Sequence, residues 1–322
     1  MRIGKFGVLT LFMAIAGCDC NKTSAQIQAR HLMVATVLAT PEIVIKREAI
    51  AGLDDFLGQF DASIPYFDGG IPFEYDGGCP FEDGCAFDAG ILPISFDQNG
   101  VTFAPQTAVL AFFGTREGDG FTSAPVGVSD ATLSLTNGVT TWPLDAQGGG
   151  AHTLTSQDDA TLLYVPGANY AFSATSMGQE YVGEIRETPT PEAIAQLHPE
   201  AGYIELDAGS PYTLTRPDPP PGQQRLYGFV SVLPISANGD QGSFTYTNVP
   251  TTPIKALELV AGPSEWRKTV IEIPADAFPQ PDRNYLILFQ TAQLGFASSS
   301  NLFIGSPMIA GVADVGIVKT KK

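Results

Sequence analysis

The sequence predicts a mainly β protein built from two β-sandwich modules, and three observations carry that expectation. Glycine (34) and proline (25) together make up 59 of the 322 residues. So many turn formers break the chain into short elements and exclude a helical bundle or coiled coil. Short runs of alternating apolar and polar residues recur between the turns through 101–187 and again through 222–322, the pattern of half-buried strands. The length leaves room for two such modules and a remainder, at about 100 to 200 residues per domain.

The chain opens on Arg2 and Lys5, followed by the eleven-residue apolar run Phe6 to Ala16. A bilayer span needs about 18 to 20 apolar residues, so this run is an export signal rather than a transmembrane helix. It ends in Ile15-Ala16-Gly17-Cys18, an aliphatic residue, two small residues and a cysteine. This resembles the lipobox of bacterial lipoproteins. The resemblance implies that 1–17 is a signal peptide cut before Cys18, and that the Cys18 thiol carries a diacylglycerol. It also implies that the new amino group is acylated with a fatty acid such as palmitate. Two or more acyl chains make a stable membrane anchor where one does not. The implied location is the bacterial cell envelope. Asp19 resembles the inner-membrane retention signal of enterobacterial lipoproteins, but sorting rules differ among bacterial groups and both membranes stay open. Cys20 reads as a second modified or paired thiol, or as a bystander in the tether.

Charge divides the chain after the signal. Residues 18–47 hold two acids and four bases, 48–215 hold 24 acids and two bases, and 216–322 hold eight acids and nine bases. The whole chain carries -17, which repels phosphate backbones and excludes nucleic acid as a partner.

Within 18–100, Met33 to Ile45 reads as one or two strands broken at Pro41, and Ala49 to Phe60 as a helix with Ile50, Leu53, Leu57 and Phe60 at helical spacing. An irregular repeat of aromatic, acid and glycine follows, from Phe60-Asp61 through Phe96-Asp97. Its Asp-Gly pairs predict tight loops. Cys79 and Cys85, six apart around a turn, would close a small disulfide loop in an oxidising compartment, worth about 2 kcal/mol. Asp68, Asp76, Glu82, Asp83 and Asp88 could converge on calcium. Their spacing matches no EF-hand, and a solvated acidic face accounts for them as well.

The first sandwich, 101–187, is expected to contain strands near Gln106 to Phe113, Ala131 to Thr136, Thr140 to Leu144, His152 to Ser156, Ala160 to Tyr164, Tyr170 to Thr175 and Tyr181 to Ile185. Residues 188–221 read as a linker. It includes a short helix over Pro191 to Leu197, capped by Thr190, and strands at Tyr203 to Leu206 and Tyr212 to Leu214. Pro217-Asp218-Pro219-Pro220-Pro221 stiffens its end. The second sandwich, 222–322, places strands at Tyr227 to Leu233, Ser243 to Thr247, Ile254 to Val260, Thr269 to Ile273, Tyr285 to Gln290, Asn301 to Ile304 and Gly311 to Val318. Trp142 and Trp266, one per module, read as core anchors.

Each module contains Pro-x-x-Asn-Tyr before a strand, at Pro166 to Tyr170 and at Pro281 to Tyr285. This resembles the tyrosine corner of fibronectin type III and related immunoglobulin-like sandwiches, where a tyrosine hydroxyl returns to upstream backbone. The resemblance implies that Tyr170 and Tyr285 are structural corner residues. Tyr164 stands where fibronectin type III domains usually have leucine. The only cysteines are 18, 20, 79 and 85, so the inter-sheet disulfide of antibody domains is absent. A transthyretin-like or carboxypeptidase-regulatory sandwich also fits the first module.

No enzymatic constellation stands out. His31, His152 and His198 are not spaced for metal ligation and read as solvated or capping residues. Neither His-Glu-x-x-His nor Gly-x-Ser-x-Gly occurs. Gly148-Gly149-Gly150 precedes a strand rather than a helix, so it is a turn and not a phosphate loop. The sequence implies no cofactor. The leading expectation is a non-catalytic, lipid-anchored envelope protein that binds the membrane through its N-terminal lipid and presents a surface to a protein or polymer. The alternatives are a carbohydrate-binding or enzyme-accessory lipoprotein and, less favoured, a hydrolase using paired carboxylates.

Overall fold

The computed structural model describes residues 20–46, 94–97, 100–116, 125–235, 244–249, 259 and 265–321. These residues are mainly β. Helix α1 (Cys20–Gln28) leads into β1 (His31–Thr40), and β2 (Ile43–Lys46), β3 (Ile94–Asp97) and β4 (Gly100–Phe103) form a small separate sheet in the order β2-β4-β3. Then come β5 (Gln106–Thr115), β6 (Val126–Gly127), β7 (Thr132–Thr136), β8 (Thr141–Pro143), β9 (Asp145–Gly148), β10 (Ala151–Thr155), β11 (Tyr170–Ser176) and β12 (Gln179–Ile185). The remainder comprises β13 (Ile204–Asp207), β14 (Tyr212–Thr215), β15 (Tyr227–Ile235), β16 (Tyr246–Thr247), β17 (Val270–Ile273), β18 (Asn284–Ala297) and β19 (Met308–Lys321).

Alternation forms the strands of the first core. In β11, Tyr170, Phe172 and Ala174 are buried while Ala171, Ser173 and Thr175 are not, and in β7 Leu133 and Leu135 point inward between threonines and serine. Strand side chains alternate faces, so each such strand commits one row to a core. The main sheet runs β8-β7-β11-β12-β18-β19-β1-β5-β10-β9. Met33 and Val37 of β1, Val109 and Phe113 of β5, Leu133 of β7, Phe172 of β11 and Met308 of β19 nevertheless share one core. The sheet therefore folds over on itself as a sandwich. Its crease lies at the β12–β18 junction, where only Gly183↔Ala297 and Glu184↔Phe296 pair. A Cβ at Gly295 would lie 2.0 Å from the Glu184 carbonyl oxygen, so only glycine permits the two strands to approach there.

The first core is not confined to 101–187, because β1 contributes its central strand and β19 the strand beside it. Residues 35–39 of β1 pair in parallel with 308–312 of β19, and all ten residues of β1 pair antiparallel with β5. The second core packs the two-stranded β14–β17 sheet against the other part of the main sheet. Leu214, Ile271 and Ile273 meet Val230, Val232, Tyr285, Ile287 and Phe289. Strand β13 extends this part by pairing in parallel with the end of β19.

The β18–β19 hairpin belongs to both cores. Its register runs from Asn284↔Lys319 to Gly295↔Met308, and each 14-residue strand is about 46 Å long. Both faces of Tyr285 to Phe289 are buried, which is why this stretch is continuously apolar rather than alternating.

Several sequence expectations need correction. Residues 160–164 form a turn followed by irregular chain rather than a strand, and 301–304 make only an isolated bridge, Leu302 to His31. The reason at 160–164 is polar capping. Thr161 donates from its N–H and hydroxyl to the Asp159 carboxylate, which closes a turn in place of a ladder. The helix expected over Pro191 to Leu197 shrinks to one 3-10 turn, Ala195–Leu197, with Ile194 and not Thr190 at its N-cap. Its preceding amides are used elsewhere: Glu192 N–H donates to Thr291 Oγ1 and Ile194 N–H to Asp314. The expected helix at 49–60 lies outside the described residues, as does the strand at 254–260 apart from Leu259, which is buried and helical rather than extended.

Candidate functional site

Cys18, Cys79, Cys85 and the calcium candidates Asp68, Asp76, Glu82, Asp83 and Asp88 lie outside the described residues. Cys20 opens α1. This helix is fastened to the body: Gln26 Nε2 donates to the carbonyls of Ala297 (3.1 Å) and Ser299 (3.0 Å), and Ile27 packs against the cluster of Leu32, Val34, Phe303 and Ile304. Arg116 donates to the carbonyls of Ile27 and Ala29 at the end of the helix while its guanidinium covers the Phe303 ring at 3.9 Å.

Both corner positions return a hydroxyl to upstream backbone. Tyr170 is 1% exposed. Its Oη accepts from Val165 N–H at 3.0 Å and donates to the Leu163 carbonyl at 3.2 Å. Tyr285 Oη accepts from Gln280 N–H at 3.1 Å. Tyr164 stacks against Tyr170 with centroids 6.2 Å apart and donates to the Pro189 carbonyl, and its burial pushes the phenol well above its ordinary range. The tyrosine in the usual leucine place thus ties the first sandwich to the segment that follows it.

Two of the three histidines differ from the solvated or capping reading, while His198, at the C-cap of the 3-10 turn with its side chain 55% exposed, agrees with it. His152 is buried, with Nε2 3.2 Å from the Ala131 carbonyl oxygen. His31 opens β1 and packs against Phe113 and Tyr181, which also touch each other, and desolvation lowers its pKa. His198 pairs with Asp314 at 2.6 Å. The Asp314 carboxylate also accepts from the N–H groups of Ile194 (2.9 Å) and Val315 (3.0 Å), so it is rigidly held. This pair borders a cavity of about 280 Å3 that Glu42 and Val44 also line. No serine, threonine or cysteine is among the described lining residues.

Arg216 is the largest fully buried side chain among the described residues. It donates bidentately to Glu192, Nε to Oε2 at 2.8 Å and Nη2 to Oε1 at 2.6 Å, and Nη2 also reaches the Leu226 carbonyl at 2.9 Å. Such full satisfaction makes it a structural ion pair. A Cβ on Gly228 would meet its guanidinium at 2.9 Å.

The larger cleft, about 670 Å3, is lined by Tyr246, Asn248, Trp266, Lys268, Val270 and Glu272, with Ile271 and Glu265 completing it. Strand β16 brings Tyr246 there by pairing with β15 at Val232. Asn248 is held through side chain and backbone: Oδ1 accepts from Val230 N–H at 2.6 Å, and the backbone N–H donates to Val230 O. That leaves the carboxamide nitrogen as its polar offering. Trp266 sits in the 3-10 turn Glu265–Arg267, and its indole N–H donates to the Asn248 carbonyl at 3.1 Å. Unlike Trp142, which is buried in the first core, Trp266 is only partly buried and lies against the Tyr227 cluster. At the rim, Lys268 Nζ meets Glu265 Oε2 at 2.7 Å, and this contact raises the lysine pKa. Burial, reinforced by Asp276, raises the Tyr246 pKa, so its hydroxyl stays neutral and can both donate and accept. The lining carries two carboxylates and one ammonium, a mildly negative, aromatic and hydrogen-bonding surface.

No group of three or more potential metal ligands occurs among the described residues, and no described helix is long and apolar enough to cross a membrane. No protein-family model matches the chain, and no curated protein matches it either.

Proposed function

We propose that this chain is a non-catalytic, lipid-anchored protein of the bacterial cell envelope, tethered through Cys18 and acting as a binding module. One observation carries the reading. Helix α1 begins two residues after Cys18, packs onto the β18–β19 hairpin, and leads directly into β1, a central strand of the main sheet. A lipid at Cys18 would therefore be joined to the folded body without a flexible spacer, which suits a protein that presents one end of itself to a partner. The partly exposed Trp266 cleft lies beside β15 and β16, opposite Ile287 and Leu288 of β18. Trp266 itself packs nearer the α1 contact, against Tyr227, which pairs with Ala292 of β18.

In this reading a Cys79–Cys85 disulfide stabilises the acidic segment, and the partner is a protein or polymer of the envelope. The test is fractionation of Cys18→Ser beside the wild type. The variant is expected to accumulate as an unprocessed, unlipidated precursor that fails to incorporate labelled palmitate. Identical processing, labelling and fractionation of the two would overturn the anchor.

A further inference from the structure

We propose that the Trp266 cleft is a binding site for a neutral oligosaccharide, so that the polymer partner of the preceding reading, on which this inference rests, is an uncharged glycan. The cleft volume of about 670 Å3 lies within the range of ligand sites, roughly 300 to 1,000 Å3. Its aromatic surface is pre-organised. Trp266 is held by the indole bond to Asn248 O and by packing against the Tyr227 cluster, so stacking a sugar ring costs little further side-chain ordering.

A pyranose presents an apolar C–H face and a ring of hydroxyls, each both donor and acceptor. The cleft matches both features. Trp266 and Tyr246 supply aromatic surface, the Asn248 amide and Lys268 ammonium supply donors, and Glu265 and Glu272 supply acceptors.

Other ligand classes fit less well. Phosphates and acidic glycans would meet two carboxylates against one lysine, itself engaged by Glu265, on a chain of net charge -17. A divalent cation would find no cluster of three ligating side chains among the described residues. A lipid chain would have to desolvate Glu272, Lys268 and Asn248 without pairing them, which is costly.

Two tryptophans make the site directly readable, because Trp142 is 2% exposed in the first core while Trp266 lines the cleft. The experiment titrates the full chain with cellohexaose and with chitohexaose, following tryptophan emission, and in parallel sediments it with delipidated cell envelopes. A saturable emission change is expected in the wild type and absent in Trp266→Phe. Glu272→Gln, on the exposed rim, is expected to weaken the titration about tenfold while leaving the melting midpoint unchanged, which separates binding from folding. Sedimentation with envelopes but no emission change with either sugar would overturn the glycan site and leave the binding-module reading intact. Absence of both would overturn the two together. A change that persists equally in Trp266→Phe would place the sugar elsewhere and refute the cleft.

Discussion

Replacing Tyr170 with phenylalanine deletes one oxygen and leaves the ring in place, so its effect isolates the corner hydroxyl. Two backbone groups lose their partner, the Val165 N–H at 3.0 Å and the Leu163 carbonyl at 3.2 Å. A buried polar group left unpaired costs about 1 to 3 kcal/mol. Leu163 and Val165 are themselves exposed, at 63% and 45%, so water can recover part of the loss and the net cost is about 2 kcal/mol. Tyr285 accepts a single backbone bond, so Tyr285→Phe should cost about 1 kcal/mol. At about 2 to 4 °C per kcal/mol for a body of this size, Tyr170→Phe should lower the midpoint by about 4 to 8 °C, twice the effect at Tyr285. The comparison belongs on the full chain, because β1 and β19 complete the core that Tyr170 occupies. Tyr203→Phe keeps the ring that receives Lys319 and serves as the control. If Tyr170→Phe melts with Tyr203→Phe, the hydroxyl is not a structural bond and the reasoning fails.

Glu192→Gln leaves the buried Arg216 guanidinium without its counter-charge, and should lower stability by about 3 kcal/mol, measured by urea titration. A loss as small as that of an exposed pair would show that the guanidinium is satisfied by backbone carbonyls alone. His31 supplies a pH dependence. Desolvation depresses its pKa below 6.5 in the folded chain, so below that pH the unfolded chain binds more protons and stability falls as the solution is acidified. His31→Phe should flatten the difference in denaturation midpoint between pH 7.5 and pH 5.5, and an undiminished slope would assign it to other groups.

Local periodicity carried much of the architecture. The alternation of Tyr170-Ala171-Phe172-Ser173-Ala174 marks β11, and the unbroken apolar run of Tyr285 to Phe289 marks a strand covered on both faces. Pairing was not legible in the same way. The parallel match of Ala35 to Ala39 with Met308 to Val312 joins residues some 270 apart, and nothing in either segment names the other. The composition split near 216 likewise gives no sign that one hairpin serves both cores. At the cleft, sequence alone makes Trp266 a core anchor because buried tryptophan is the common case, and the structure leaves it partly buried against the Tyr227 cluster. A local signal did exist: Ser264-Glu265-Trp266-Arg267-Lys268 surrounds the indole with polar residues, a setting unlike that of Trp142. The Glu192–Arg216 and His198–Asp314 pairs span 24 and 116 residues and follow no helical or strand period, so only the fold brings them together.

The parallel contact between β1 and β19 has a mechanical consequence. A tension applied lengthwise along β1 would act on a strand that has a neighbour on each side. Strand β1 is then dragged lengthwise past β19 on one side and β5 on the other. Hydrogen bonds lie perpendicular to the pull in the antiparallel ladder with β5 and slanted to it in the parallel ladder with β19, so the five pairs with β19 and the ten with β5 are strained together rather than peeled one at a time. The geometry that places β1 in the middle of the sheet also makes it resistant to shear along its own axis.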